Sequence, residues 1–176
     1  MNNITRLFDF PYYQLEKYNL KDALVTKYDG QWVKTSTQEY LDKANAISRG
    51  LLRLGVNKND KIAIISSNNR TEWHITDIGV LQTGAQTVPM YPTISAEDYE
   101  YILNHSESKY VFVSDDEVYE KLKSIKANVP SLKEVYSYND ISGCKSWKEI
   151  LELGADAANQ DVVEDRKNNV LTTDLA

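Results

Sequence analysis

Two periods alternate along this chain. Tyr40, Ala44, Ile47, Leu51 and Leu54 stand four, three, four and three residues apart, which is one apolar stripe of an α-helix. Ser36, with Glu39 three residues on, supplies a capping box at its start, and Gly55 stands where a left-handed C-cap belongs. The next segment, Lys61 to Ser66, breaks the helical period. Its four consecutive apolar residues, Ile62 to Ile65, predict a strand covered on both faces, as in a parallel sheet.

The alternation then repeats. Helices are predicted over 71–83, 95–106 (Ser95 and Asp98 forming the cap) and around Val118, Leu122 and Ile125. Strands are predicted over 86–91, 110–114 and 132–138, and Ser146 with Glu149 opens a last helix carrying Trp147, Ile150 and Leu151. Upstream, Pro11 to Tyr18 reads as a short helix with proline at its first position. Residues 23–28 and 31–35 flank Asp29-Gly30, the link that a type I′ hairpin turn requires. Residues 155–170 are polar and aperiodic and read as a linker or loop, and 171–176 reads as the beginning of a strand. The fold class is therefore α/β, a mainly parallel sheet flanked by helices with an N-terminal β-hairpin, in a single domain over 1–176.

Charge and cysteine content narrow the partners. The chain has 26 acidic and 20 basic residues, a net charge of −6, without any basic block, so nucleic acid is not expected as a partner. A single cysteine forms no internal disulfide and fits a reducing compartment. The opening residues lack the apolar run of a signal peptide, and no stretch approaches a membrane span.

Candidate chemistry is sparse. Among seven glycines no pair forms G-x-G, and the two G-x-x-x-x-G spacings, Gly50/Gly55 and Gly79/Gly84, continue into Val-Asn and Ala-Gln rather than Lys-Ser/Thr, so neither is a phosphate loop. His74 with Asp77 offers two metal ligands where a stable site wants three or four, and no metal is expected. His105 falls near a helix C-terminus, where an imidazolium suits the dipole. Cys144 lacks the setting of a nucleophile, the serines lack a G-x-S-x-G elbow, and Trp73, in the first turn of a helix, reads as core or interface. No catalytic and no cofactor-binding residue is assigned from the residues alone.

Four segments in order resemble the AMP-forming (adenylate-forming) acyl-CoA synthetase family, its long-chain fatty acid–CoA ligase branch in particular. They are Ala44-Asn45 through Gly50-Leu51-Leu52 to Leu54-Gly55-Val56 with Lys58-Asn59-Asp60-Lys61-Ile62-Ala63-Ile64; Ser67-Asn68-Asn69-Arg70-Thr71-Glu72-Trp73; Gly84-Ala85 with Val88-Pro89-Met90-Tyr91-Pro92-Thr93; and Tyr101-Ile102-Leu103-Asn104-His105-Ser106-Glu107-Ser108-Lys109. Asn59 stands where glycine is usual, Thr71 where proline is common, and Gln86-Thr87 where valine is frequent. The resemblance implies the N-terminal subdomain of the acyl-CoA synthetase (ANL-type) fold. It implies a full-length cytoplasmic enzyme able to associate peripherally with membranes, which uses ATP, Mg2+ and CoA to convert a fatty acid to an acyl-adenylate and then acyl-CoA. In that family the phosphate-binding loop lies downstream, and Thr172-Thr173-Asp174-Leu175-Ala176 resembles its lead-in. The partners implied are the remainder of the same polypeptide, fatty acid, ATP and CoA, and the chain alone is expected to be inactive. Ser67 and Tyr91, each just past the carboxyl end of a strand, are the substrate-cleft candidates, because ligands of parallel sheets sit there. The alternative is an autonomous flavodoxin-like nucleotide-binding or protein-interaction module.

Overall fold

The computed structural model describes residues 4–175. The hairpin forms as expected: β1 (Leu24–Tyr28) and β2 (Gln31–Thr35) pair antiparallel around Asp29 and Gly30, both at positive φ, 47° and 82°. Ser36 then caps α2 (Thr37–Arg53) through the full capping box with Glu39. The chain continues through β3 (Lys61–Ile65), α3 (Thr71–Gln82), β4 (Gln86–Met90), α4 (Ala96–Ser106), β5 (Tyr110–Val113), α5 (Asp116–Ile125) and β6 (Glu134–Ser137). Ser95 and Asp98 form the second capping box.

Strands β3 to β6 and a two-residue β7 (Lys145–Ser146) make one parallel sheet in the order β4-β3-β5-β6-β7. Both faces are covered, which explains the unbroken apolar strands. Ile62, Ile64, Tyr110, Phe112 and Tyr136 point to one core, under α2, α3 and α6 (Lys148–Leu153). Their neighbours Ala63, Ile65, Val111, Val113 and Val135 point to the other, under α4 and α5. The chain steps from β3 outward to β4, returns past β3 to β5 and then proceeds in the opposite direction. The reversal lies between β3 and β5, and that topological switch point is where open parallel sheets place their ligands.

Four sequence expectations are corrected. Helix α1 spans Asp9–Lys17, so Pro11 is its third residue rather than its first; the first turn has no intrahelical acceptor for its N–H groups, and proline costs nothing there. The stretch 155–170 is not a linker: a 3₁₀ turn over 157–159 leads into α7 (Gln160–Asn168). Helix α7 buries one apolar side chain, Val163, and otherwise docks through polar groups. Gln160 donates to Asn45 at 3.3 Å, and the buried Lys167 ammonium lies 3.9 Å from the Tyr12 ring centroid. With Val162 and Val163 its only apolar residues, adjacent in sequence, it has no hydrophobic period to read. Consequently the helix opened near Ser146 is not the last, and it begins at Lys148. Finally, 171–175 is a turn, not a strand: the Leu171 N–H donates to Asp174 Oδ2 at 2.8 Å, and Asp174 pairs with Lys58 at 2.6 Å.

The glycine pairs act in packing. Gly55 and Gly84 follow helices at φ 79° and 78°, as left-handed C-caps do. Gly50 and Gly79 lie inside α2 and α3 at the crossings with α6 and α2; a Cβ at Gly50 would stand 2.3 Å from the Ile150 carbonyl oxygen. No helix among the described residues is long and apolar enough to cross a membrane.

Candidate functional site at the carboxyl edge of the sheet

The loop leaving β3 crosses the switch point. Ser67 lies there, exposed, and turns toward β5: its N–H donates to Ser114 Oγ at 2.9 Å and its hydroxyl to Asp115 Oδ2 at 2.5 Å. Ser114 Oγ also donates to Asp115 Oδ2, at 2.6 Å, while Oδ1 accepts the Val118 N–H at 3.1 Å and so caps α5. Burial by itself would raise the Asp115 carboxyl; the bonds from Ser114, Ser67 and the helix amides outweigh it and hold the group below its ordinary range. Tyr91, just past β4, is 79% exposed, and its carbonyl accepts the Tyr99 hydroxyl at 2.9 Å. Ser67 and Tyr91 thus occupy the same edge of the sheet, but Ser67 is engaged toward β5, on the side away from β4.

A cleft of about 270 Å³ opens beside Ser67, lined by Ser66, Asn68, Asn69, Arg70, Trp73 and His74. Its wall is a buried ion pair that periodicity did not reveal. Arg70, 6% exposed, donates from Nε and Nη2 to the Glu72 carboxylate at 3.0 and 2.8 Å. Arg70 Nη2 also donates to Asn139 Oδ1 at 3.1 Å, beyond β6, and the guanidinium lies 5.1 Å from the Tyr138 ring centroid. Glu72 in turn accepts the Tyr28 hydroxyl at 2.6 Å, from the hairpin. Burial alone would raise the Glu72 carboxyl, but the bonds from Arg70 and Tyr28 prevail and lower it; burial and the Glu72 contact push the Tyr28 phenol up to about 12. The clamp fastens the start of α3 to the hairpin on one side and to the sheet on the other. Its signal in the sequence was the Arg-Thr-Glu triplet at a helix start, which shows two opposite charges but not that they would be buried.

Thr71 adds to the same fastening. Its N–H donates to Thr26 Oγ1 at 2.9 Å, and the two hydroxyls lie 2.8 Å apart. Proline in that place would suit the first helical position yet could not make the amide bond.

The remaining candidates make packing contacts. His74 is exposed and meets Trp73 edge-on at 5.4 Å; Trp73 is half-buried against the core. His105, in the last turn of α4, stacks on Tyr101 at 5.9 Å. No group of three or more metal-ligating side chains is present among the described residues. Burial pushes the Cys144 thiol up to about 11, and its Sγ faces the Val135 carbonyl at 3.6 Å. Reaction with a disulfide reagent at pH 8 should therefore be at least tenfold slower than for free cysteine, since little thiolate forms; an equal rate in a thiol-exchange assay would contradict this burial.

No glycine lies in 66–70, 91–95 or 114–115, the loops leaving β3, β4 and β5. The α5 N-terminus, the natural anion seat at the switch point, is filled by the carboxylate of Asp115. What the edge offers is a polar wall of Ser67, Ser114 and Asp115.

Comparison with known proteins fits this frame. The sequence model of one family, described as AMP-binding enzyme, matches residues 13–173. The chain belongs to that family. Among curated relatives, the long-chain-fatty-acid–CoA ligase ACSBG2 of Xenopus laevis is 28% identical over 167 residues, covering 90% of this chain and 22% of the relative. The long-chain-fatty-acid–CoA ligase FadD15 of Mycobacterium tuberculosis is 35% identical over 127 residues, covering 72% of this chain and 21% of the relative. The chain therefore spans about a fifth of the length of these relatives. Among solved structures, a long-chain-fatty-acid–CoA ligase (FadD1) of Archaeoglobus fulgidus superposes with a TM-score of 0.73 at 22% identity, over 84% of this chain and 30% of that one. The anthranilate CoA ligase AuaEII, in complex with anthranoyl-AMP, gives 0.72 at 23%, over 82% and 26%. At those identities the structures establish the shared fold. The clamp at Arg70 and Glu72 thus lies within a segment the AMP-binding family model covers.

Proposed function

We propose that this chain is the N-terminal part of a long-chain fatty acid–CoA ligase, a cytoplasmic enzyme that activates a fatty acid with ATP and Mg2+ to an acyl-adenylate and transfers the acyl group to CoA. Its task in the whole protein is architectural. It supplies a parallel sheet whose carboxyl edge, with Ser67 and Tyr91, forms one wall of the substrate cleft, while the remainder of the polypeptide brings the phosphate loop and the catalytic cations. The single observation that carries this division of labour is the edge itself: a glycine-free set of loops with Asp115 in the anion seat. Developing phosphate charge needs amides and cations aimed at it, and a carboxylate in their place repels a triphosphate.

The isolated chain should show no fatty acid-dependent ATP–pyrophosphate exchange and form no acyl-CoA; exchange that scales with the amount of pure chain would overturn the division. The ligase reading itself is tested by the coding sequence beyond Ala176. A glycine-rich Ser/Thr loop is expected within roughly the next dozen codons, by analogy with phosphate loops generally, and a stop codon there would count decisively against it.

A second reading is favoured by one observation. Taken in chain order, the five strands lie 2-1-3-4-5, the flavodoxin-like arrangement, in which FMN binds at the switch point between the first and third. Calorimetry of the chain with FMN, ATP, AMP and CoA separates the two. No saturable heat is expected from any of them, and micromolar binding of FMN would establish the autonomous module instead.

A further inference from the structure

A second concavity lies away from the sheet edge, between α1, α2 and α3. Its volume is about 430 Å³, within the range of small-molecule sites. The walls are aromatic: Phe10 and Tyr13 from α1, Tyr18 just after it, and Tyr40 from α2. Tyr13 and Tyr18 meet edge-on, 6.3 Å apart at 78°, and Phe10 and Tyr18 are 56% and 64% exposed. Asp77 of α3 stands among these rings. No lysine or arginine pairs with it among the described residues; the Thr87 side chain and then His74, exposed one turn earlier, are what favour its charged form. Burial holds its carboxyl above the ordinary range, outweighing what Thr87 and His74 contribute, so the charged form is only partly compensated within the chain.

Each part of this arrangement restricts the ligand. Aromatic walls attract apolar stems and, through their faces, cations. A half-buried carboxylate rejects anions, a fatty acid head among them, and leaves a wholly apolar ligand facing an unpaired charge. A small hydrated cation gains little from the rings. We propose that the groove between α1, α2 and α3 is a binding site for an alkylammonium group, an organic cation on a short apolar stem, with Asp77 as its counter-charge and Phe10, Tyr13, Tyr18 and Tyr40 as its cage. The inference is independent of the ligase reading, because the cage and its counter-charge are none of the residues at the sheet edge; only His74 lines both concavities.

The test is an NMR titration of the 15N-labelled chain with n-butylammonium, against butyrate and methylammonium. The amine should give saturable shifts centred on Phe10, Tyr18 and Asp77, butyrate none, and methylammonium, lacking the stem, binding weaker by about tenfold. Asp77→Asn should lose at least about tenfold in affinity, the effect of removing a charge-assisted contact. It should melt no lower than the parent, since a charge that burial disfavours is gone. Phe10→Ala changes an exposed ring, keeps the fold readable and should weaken binding several-fold. Equal responses to butyrate, or unchanged amine affinity in Asp77→Asn, would overturn the proposal. So would groove shifts that appear on concentrating the chain without amine, because the occupant would then be a second copy.

Discussion

Replacing Gly154 with alanine should destabilise the chain by about 3 kcal/mol, the upper range for forcing an atom into a packed interface. Gly154 closes α6 at the point where it lies on α2. A Cβ there would stand 1.8 Å from the Ala46 carbonyl oxygen and 2.8 Å from the Gly50 amide nitrogen. Both are backbone atoms of a helix, so no side chain can swing aside, and α6 must lift from α2. The displacement would also pull the Gly154 carbonyl from Arg49 Nε, which donates to it at 2.7 Å. For a domain of this size that loss corresponds to a melting temperature roughly 10 °C lower. Gly55→Ala provides the comparison: nothing lies within 4 Å of its added Cβ, and only the positive φ of 79° is strained, at a cost of about 1 kcal/mol. Urea midpoints that place Gly154→Ala level with Gly55→Ala would mean that Gly154 does not seat α6 against α2.

Those two glycines mark where the sequence speaks and where it stays silent. Gly55 is legible because a helical stripe ends just before it, and a left-handed cap is a local event. Gly154 is not, since the reason for glycine is a helix more than a hundred residues away. The same distinction runs through the fold. The hairpin at Asp29-Gly30, both capping boxes and the doubly covered β3 were readable because each rests on short-range geometry or on a period. Helix α7 escaped because it docks through Gln160 and Lys167 rather than an apolar stripe. The turn at 171–175 escaped because Lys58, the residue that holds Asp174, is remote in sequence. Strand order lies further out of reach, since right-handed crossovers permit several orders. At the sheet edge, Ser67 was placed by a topological rule. That its hydroxyl would meet Asp115, and that this carboxylate would fill the α5 cap, required β3 and β5 to be neighbours.

The clamp at the start of α3 carries the other large effect. Arg70→Met should cost about 3 to 5 kcal/mol at pH 7, the penalty for stranding one member of a buried pair. The Arg70 and Glu72 side chains are 5% and 13% exposed, so water cannot replace the lost guanidinium. The effect has a pH signature. In the parent, burial would raise the Glu72 carboxyl, but Arg70 and Tyr28 more than offset this, so its folded value lies below the ordinary 4.5. The charged pair therefore stabilises the chain above that value, and the contribution is lost as pH falls through the lower, folded one. Without Arg70, burial dominates and the folded value rises above the unfolded one. The penalty is then full at neutral pH and shrinks as Glu72 takes up its proton. Melting curves of parent and variant should accordingly differ most near pH 7 and converge toward pH 4. Arg70→Met with Glu72→Leu should recover much of the loss at pH 7, because no charge is left unpaired. A gap between parent and single variant that stays constant from pH 7 to pH 4 would show that Arg70 acts through packing on Tyr138 alone. The hairpin and the sheet would then be joined by ring contacts, and the Glu72 carboxylate would have no part in holding the cleft wall.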